Sequence, residues 1–206
     1  MTNKNITIVI NTFKSEDKIF NCLNSINSSY QIIVIENSNN NILKNQIEQK
    51  YSNVQCFLTG ENLGYANGNN LGLSKVKSKY ALILNPDAVI EKETINNFLI
   101  TANNRKDFAI IGPAIQNEFS KEQNHKDKED VFEVKSLKGF AMFLNLEQFK
   151  NIGYFDSNFF IYLEEIDLCK RLQDKNKKIY LDKNIIVHHL GGSSHNKSID
   201  FEMELS

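Results

Sequence analysis

Short, almost fully apolar runs alternate along this chain with longer stretches in which apolar residues recur every three or four positions. Ile6–Asn11, Gln31–Glu36, Val54–Leu58, Tyr80–Leu84 and Ala109–Gly112 have the length and branched-chain content of buried strands. Between them the period changes. Ser15 is placed to cap a helix that carries Glu16 and Asp17 in its first turn and Ile19, Phe20, Leu23 and Ile26 on one face. Ile42–Tyr51, Tyr65–Val76 and Glu93–Asn103 are predicted to be further helices. Buried strands separated by such helices predict an α/β chain, a single three-layer α/β/α domain around a mostly parallel sheet covered on both faces.

In that architecture ligands bind beyond the carboxyl ends of the strands. Asn11–Thr12, Glu36–Asn37–Ser38 and Asn85–Pro86–Asp87 each follow directly on an apolar strand, so short hydrogen-bonding side chains line one crevice. Three such strand ends suit a base, a ribose and phosphates. Pro86 pins the backbone after its strand and presents Asp87 at the tip. A carboxylate there suits Mg²⁺ or Mn²⁺, which take few protein oxygens and fill the rest of their shell from phosphate and water. A turn Asp is the simpler role for a Pro-Asp pair.

Two further patterns carry chemistry. Gly64, Gly68 and Gly72 recur every four residues, which lines one helix face with glycine and lets it approach another backbone closely. Their spacing, and their distance from the first strand, exclude the dinucleotide-binding fingerprint. Farther on, the aromatic run Phe159–Phe160–Ile161–Tyr162 stops at Glu164, Glu165 and Asp167, which begin an apolar helical pattern. Carboxylates crowded beside an apolar wall raise one another's pKa, a configuration kept more often for a general base or a cation than for packing. A helix start that welcomes anions is the alternative.

Composition narrows the picture. The net charge of −1 over 206 residues provides no basic field for nucleic acid. No apolar stretch is long enough to span a bilayer, and the N-terminus lacks a signal-peptide plan. Cys22, Cys56 and Cys169 are odd in number and lack metal spacing, so reduced thiols in a cytoplasmic protein are expected. Residues 116–130 are charged, have little to bury and are expected to form a mobile surface loop.

Taken in order, the motifs resemble those of the family 2 glycosyltransferases, in particular the rhamnosyltransferase-like branch that builds bacterial surface polysaccharides. They are Val9–Ile10–Asn11–Thr12–Phe13, Ile33–Val34–Ile35–Glu36–Asn37–Ser38, Asn62–Leu63–Gly64–Tyr65–Ala66–Asn67–Gly68–Asn69–Asn70 and Leu84–Asn85–Pro86–Asp87–Ala88. Lys138–Gly139–Phe140–Ala141–Met142, Gly153–Tyr154–Phe155–Asp156, Tyr162–Leu163–Glu164–Glu165–Ile166–Asp167–Leu168 and His188–His189–Leu190–Gly191–Gly192–Ser193 follow. The resemblance runs from about Ile6 to Ser194. It implies a GT-A-type fold, with a nucleotide-binding half at about 1–115 and an acceptor and catalytic half at about 131–195.

The resemblance also implies roles. Thr12, Phe13, Glu36, Asn37, Asn62, Gly64, Asn69, Asn85 and Asp87 would bind a UDP- or dTDP-sugar donor. Gly139, Phe140 and Tyr162 would meet a saccharide or lipid-linked acceptor, with Phe159, Phe160 and Tyr162 walling off water. Asp87 matches the second carboxylate of the family's Asp-any-Asp metal motif, and Asn85 stands where the first would be. With His189, or its neighbour His188, Asp87 would hold Mn²⁺ or Mg²⁺. Glu165 matches the family's catalytic Asp, one methylene longer, with Glu164 and Asp167 as the other candidates. The implied reaction is displacement with inversion at the anomeric carbon. Only twelve residues follow Ser194, where many relatives carry membrane segments. A nearly minimal catalytic domain at the inner face of the membrane, relying on a peripheral membrane or protein partner, is therefore expected. A non-catalytic sugar-nucleotide-binding relative is the main alternative. A sugar-phosphate nucleotidyltransferase fits less well, because Asn11–Thr12–Phe13–Lys14–Ser15 contains no glycine.

Overall fold

The computed structural model describes residues 3–114 and 129–189. Its strands are β1 (Asn3–Thr12), β2 (Tyr30–Glu36), β3 (Val54–Leu58), β4 (Tyr80–Leu84), β5 (Ala88–Ile90), β6 (Phe108–Pro113), β7 (Val131–Glu133), β8 (Ala141–Asn145), β9 (Lys178–Asp182) and β10 (Val187–His189). Its helices are α1 (Glu16–Ser25), α2 (Asn41–Lys50), α3 (Gly64–Ser74), α4 (Thr94–Asn104) and α5 (Glu164–Asp174). The main sheet runs β3-β2-β1-β4-β8-β6-β9-β7, and β10 pairs with β5 in a separate ribbon. The pairs β3–β2, β2–β1, β1–β4 and β6–β9 are parallel. Strand β8 enters antiparallel between β4 and β6, and β7 is antiparallel to β9.

The period-2 alternation of β1 builds both faces of the sheet. Ile6, Ile8 and Ile10 join α1, α2 and α4 in one core, through Ile19, Leu23, Leu43, Ile47 and Phe98. Val9 turns the other way and meets Ala66 and Leu73 of α3 and Leu168 and Leu172 of α5. Phe143 of β8 anchors the first core, with its ring centroid 5.1 Å from that of Phe98 and 5.9 Å from that of Phe108. The three-layer expectation holds, and the sheet is mostly parallel with an antiparallel insertion.

Strands β3 and β4 begin and end where the apolar pattern predicted. The other early elements differ from it by a few residues at their ends. Ser15 occupies the N-cap position of α1 without a side-chain cap, and its hydroxyl donates to Phe13 O at 3.0 Å. Asn40 caps α2 instead, accepting from Leu43 N at 3.0 Å. The charged loop expected over 116–130 lies outside the described residues except for Glu129 and Asp130, and Gly191, Gly192 and Ser193 also lie outside them.

The glycine stripe of α3 behaves nearly as predicted. A methyl at Gly72 would lie 2.4 Å from Val9 Cγ1, and one at Gly68 2.4–2.6 Å from the Asn11 amide. Glycine weakens a helix by about 1 kcal/mol per residue relative to alanine, so close seating on β1 is what favours it here. The approach is to β1 side chains at these two positions and to backbone only at Gly64, where Phe160 O would lie 2.2 Å from an added Cβ.

Candidate active site

The carboxyl ends of β1 and β2 converge on the start of α3. Asn11 Nδ2 and Asn37 Nδ2 both donate to Gly64 O, at 3.0 and 2.9 Å. Asn37 Oδ1 accepts from Leu63 N, and Asn62 Oδ1 accepts from Gly64 N. Gly64 takes φ +73°, which holds the chain in a left-handed turn just as the helix begins. The expected donor-binding residues are thus brought together, but several are engaged by the protein itself.

Glu36 is the main departure. It is fully buried, with one carboxylate oxygen accepting from Ser38 Oγ and Ser38 N and the other from Asn40 N. Its carboxylate anchors the turn after β2 and so props the strand end that lines the crevice. Asn69 is likewise buried and donates to Tyr65 O one turn back on α3. Thr12 is buried with an unpartnered hydroxyl, while Phe13 is exposed at the rim.

Strand β4 delivers the second group. Beyond it, β5 pairs with β10, and the register sets His189 opposite Ala88. His189 Nε2 then lies 3.2 Å from Asp87 Oδ1 and 3.4 Å from Asn85 Nδ2. The Phe140 ring stacks on the imidazole, with centroids 4.8 Å apart and planes 15° apart, and Phe140 O accepts from Asn85 N at 2.9 Å. Phe140 is therefore buried against His189. His188, on the opposite side of β10, pairs with Glu91 at 3.0 Å and is half-exposed. The alternation of side chains along a strand turns His189 toward Asp87 and His188 toward Glu91.

Asp87 and His189 fit a divalent cation. One carboxylate and one imidazole suit Mn²⁺ well and Mg²⁺ adequately, provided that ligand phosphates and water complete the shell. Neighbouring ligand atoms around such an ion stand about 3 Å apart, close to the separation these two side chains already have. Among the described residues no cluster of three or more His, Cys, Asp or Glu side chains provides a fully protein-built cage.

Helix α5 supplies the carboxylates. Leu163 takes the N-cap position with φ +73° and without a side-chain cap, and Tyr162 before it has φ +70°. Consecutive left-handed non-glycine residues store strain of the kind found at functional sites. The turn leaves Phe160, Ile161, Tyr162, Leu163 and Ile166 exposed, whereas Phe159 packs partly into the core. Phe160 and Tyr162 are thus exposed, with the Phe160 ring edge and carbonyl set against Gly64 at the start of α3.

The three acidic residues separate by role. Asp167 is bound to Arg171 Nε at 2.7 Å, and Arg171 also donates to Ile152 O and Tyr154 O. The structure therefore uses Asp167 as a brace for the loop that precedes α5. Glu164 is buried, and its carboxyl is raised above the usual range, chiefly by desolvation and also by the neighbouring charge of Glu165. Glu165 is half-buried and lies beside Gly139. Each of the two glutamates keeps one buried carboxylate oxygen without a partner.

Those oxygens belong to a pattern. Among the described residues the buried side-chain polar atoms that lack a partner are on Asn11, Thr12, Asn69, Asn145, Glu164 and Glu165. All but Asn145 belong to the elements that build this crevice. Buried polar groups are nearly always hydrogen-bonded, so such a concentration marks a place shaped for something other than itself. A cavity of about 590 Å³ between Asn97, Arg105, Glu129 and Asp182 is lined by none of these residues.

Residues 7–169 match the model of glycosyl transferase family 2. The chain belongs to this family. The hexosyltransferase Agl10 of low-salt glycan biosynthesis in Haloferax volcanii is 28% identical over 197 residues, covering 84% of this chain and 63% of its own length. The rhamnosyltransferase WbbL of Escherichia coli K12 is 25% identical over 203 residues, covering 81% of this chain and 76% of that one. The family 2 chain thus spans less than two thirds of Agl10. Its backbone superposes on the crystal structure of GalNAc-T7 with UDP, GalNAc and Mn²⁺ at a TM-score of 0.74, with 13% identity, covering 89% of this chain and 43% of that one. That likeness identifies the fold as the GT-A type expected from the motifs. No helix among the described residues is long and apolar enough to cross a membrane.

Proposed function

We propose that this protein is an inverting glycosyltransferase that moves a sugar from a UDP- or dTDP-sugar to a hydroxyl of a saccharide or lipid-linked acceptor, with a divalent cation as cofactor. The observation that carries the reading is the pairing of Asp87 with His189 at the end of β4, joined to Glu165 through the adjacent residues Gly139 and Phe140. The named activities of Agl10 and WbbL, and the UDP and Mn²⁺ held by GalNAc-T7, support it.

Asp87 and His189 would hold the cation, and Asn62, Gly64 and Asn85 would line the diphosphate and ribose. Bound there, the ion would neutralise charge gathering on the departing nucleoside diphosphate. Glu165 would take the proton from the acceptor hydroxyl as its oxygen bonds to the anomeric carbon and the bond to the diphosphate oxygen breaks. The acceptor approaches over the exposed Phe160–Leu163 turn, whose apolar side chains suit a sugar face or a lipid-linked acceptor. Glu164, buried behind Glu165, supports the helix start. The cellular role would be surface polysaccharide assembly at the cytoplasmic face of the membrane.

Calorimetry with UDP, dTDP and GDP, each with and without Mn²⁺, tests the donor assignment. UDP or dTDP should bind, and more tightly with Mn²⁺. Binding of GDP alone would overturn the pyrimidine assignment. Nucleotide binding without any sugar transfer across a panel of donors and acceptors would favour a non-catalytic binding protein.

A further inference from the structure

Tyr65, the second residue of α3, touches both segments that frame the carboxylates. Its backbone N–H donates to Phe160 O at 2.7 Å, four residues before Glu164. Its hydroxyl donates to Gly139 O at 2.5 Å. Gly139 in turn lies against Glu165, because a methyl built there would stand 3.8 Å from Glu165 Cβ and 3.1 Å from the Tyr65 hydroxyl. The next residue, Phe140, stacks on His189 and accepts from Asn85 N. The Tyr65 ring is held edge-on to Phe155, with centroids 5.8 Å apart. Its phenol is raised above its usual pKa, first by burial and then by the charges of Glu164 and Glu165, so it is a neutral hydrogen-bond donor beside both carboxylates.

We propose that Tyr65 is a positioning residue: its hydroxyl fixes the Gly139–Phe140 segment, and through it the separation between Glu165 and the Asp87–His189 pair. The proposal rests on the assignment of Glu165 as the base. A base must stand within hydrogen-bond reach of the acceptor hydroxyl, and a displacement of about 1 Å can lower turnover about a hundredfold. A peptide carbonyl can be held by water as well as by a phenol, but water does not fix its position against a ring packed between α3 and Phe155. The phenol, on a ring held against Phe155, therefore does more than satisfy Gly139 O.

Tyr65→Phe removes only the hydroxyl. Amide exchange of the full chain should rise at residues 138–141 and at Asn85, and stay unchanged at 159–163, whose tie is to the Tyr65 backbone. Turnover, read as UDP release from UDP-glucose and UDP-GlcNAc, should fall about ten- to a hundredfold with little change in KM for the donor. In a Glu165→Gln background, Tyr65→Phe should cause no additional loss. Unchanged exchange at 138–141 together with parental turnover would overturn the role of Tyr65. Parental turnover of Glu165→Gln would instead overturn the base assignment, leaving the exchange result to judge the hydroxyl tie alone. If neither donor turns over, the exchange result decides. Should Tyr65→Phe fail to fold, Gly139→Ala, which presses a methyl between the hydroxyl and Glu165, should produce the same exchange and turnover changes, and its parental behaviour would count against the proposal.

Discussion

Asp87 and His189 lie far apart in the chain, yet their side chains are 3.2 Å from one another because β5 and β10 set His189 opposite Ala88. Neither three-residue strand carries a legible period of its own. Their pairing turns two weak sequence signals, a turn aspartate and a loop histidine, into one donor pair with a stacked Phe140 behind it.

Asp87→Asn should remove most of the Mn²⁺-dependent gain in nucleotide affinity, because it deletes the one charged oxygen of the pair. His189→Ala should weaken that gain less, and Asn85→Ala less again. His188→Ala should leave it unchanged, since that ring faces Glu91. Titration calorimetry with and without chelator checks all four. Full Mn²⁺-dependent affinity in Asp87→Asn would remove the metal role.

Glu165→Gln should abolish transfer while leaving donor affinity nearly intact, since loss of a general base acts on the transition state. Glu165→Asp should keep measurable activity, as it restores the residue usual in the family. Glu164→Gln should retain turnover. A dead Glu164→Gln beside an active Glu165→Gln would exchange the two roles.

The buried Glu164 also predicts a pH dependence of stability. Its folded pKa lies above its unfolded one, so the folded state binds the extra proton. Its favourable contribution is present below the ordinary glutamate range, about pH 4, and is lost as pH rises through the folded value. Glu164→Gln, which mimics the neutral acid, should therefore melt higher than the parent near pH 7. The two melting curves should converge near pH 4. An equal gap at both pH values would show that the burial of this carboxyl does not set the difference.

Gly68→Ala and Gly72→Ala should each destabilise the protein by about 1–3 kcal/mol, the usual range for overpacking. At both positions the new methyl would fall well inside contact distance of β1. Chemical denaturation measures this. At an open helical site the same change would stabilise by about 1 kcal/mol, so the sign alone is diagnostic.

Much of the first half of the fold was legible because buried parallel strands are short apolar runs bounded by polar turns. Strands β1 to β4 and their helices needed no tertiary information beyond that contrast. The strand ends Asn11–Thr12, Glu36–Asn37 and Asn85–Asp87 were legible for the same reason. The antiparallel insertion of β8 between β4 and β6 was not, since Ala141–Asn145 is buried throughout and reads only as an apolar run. Nor could the sequence show that Glu36 spends its carboxylate on its own turn, because burial of a polar group depends on which backbone N–H groups fold back to meet it.

By itself, then, the sequence determined the α/β class, the crevice at the strand ends and the acidic helix start, all properties of local period and composition. The tertiary structure alone decided which histidine meets Asp87 and that Tyr65 joins Gly139 to the loop before Glu164. These are distances between residues far apart in the chain, and they are set by strand register and helix seating, which no local pattern encodes.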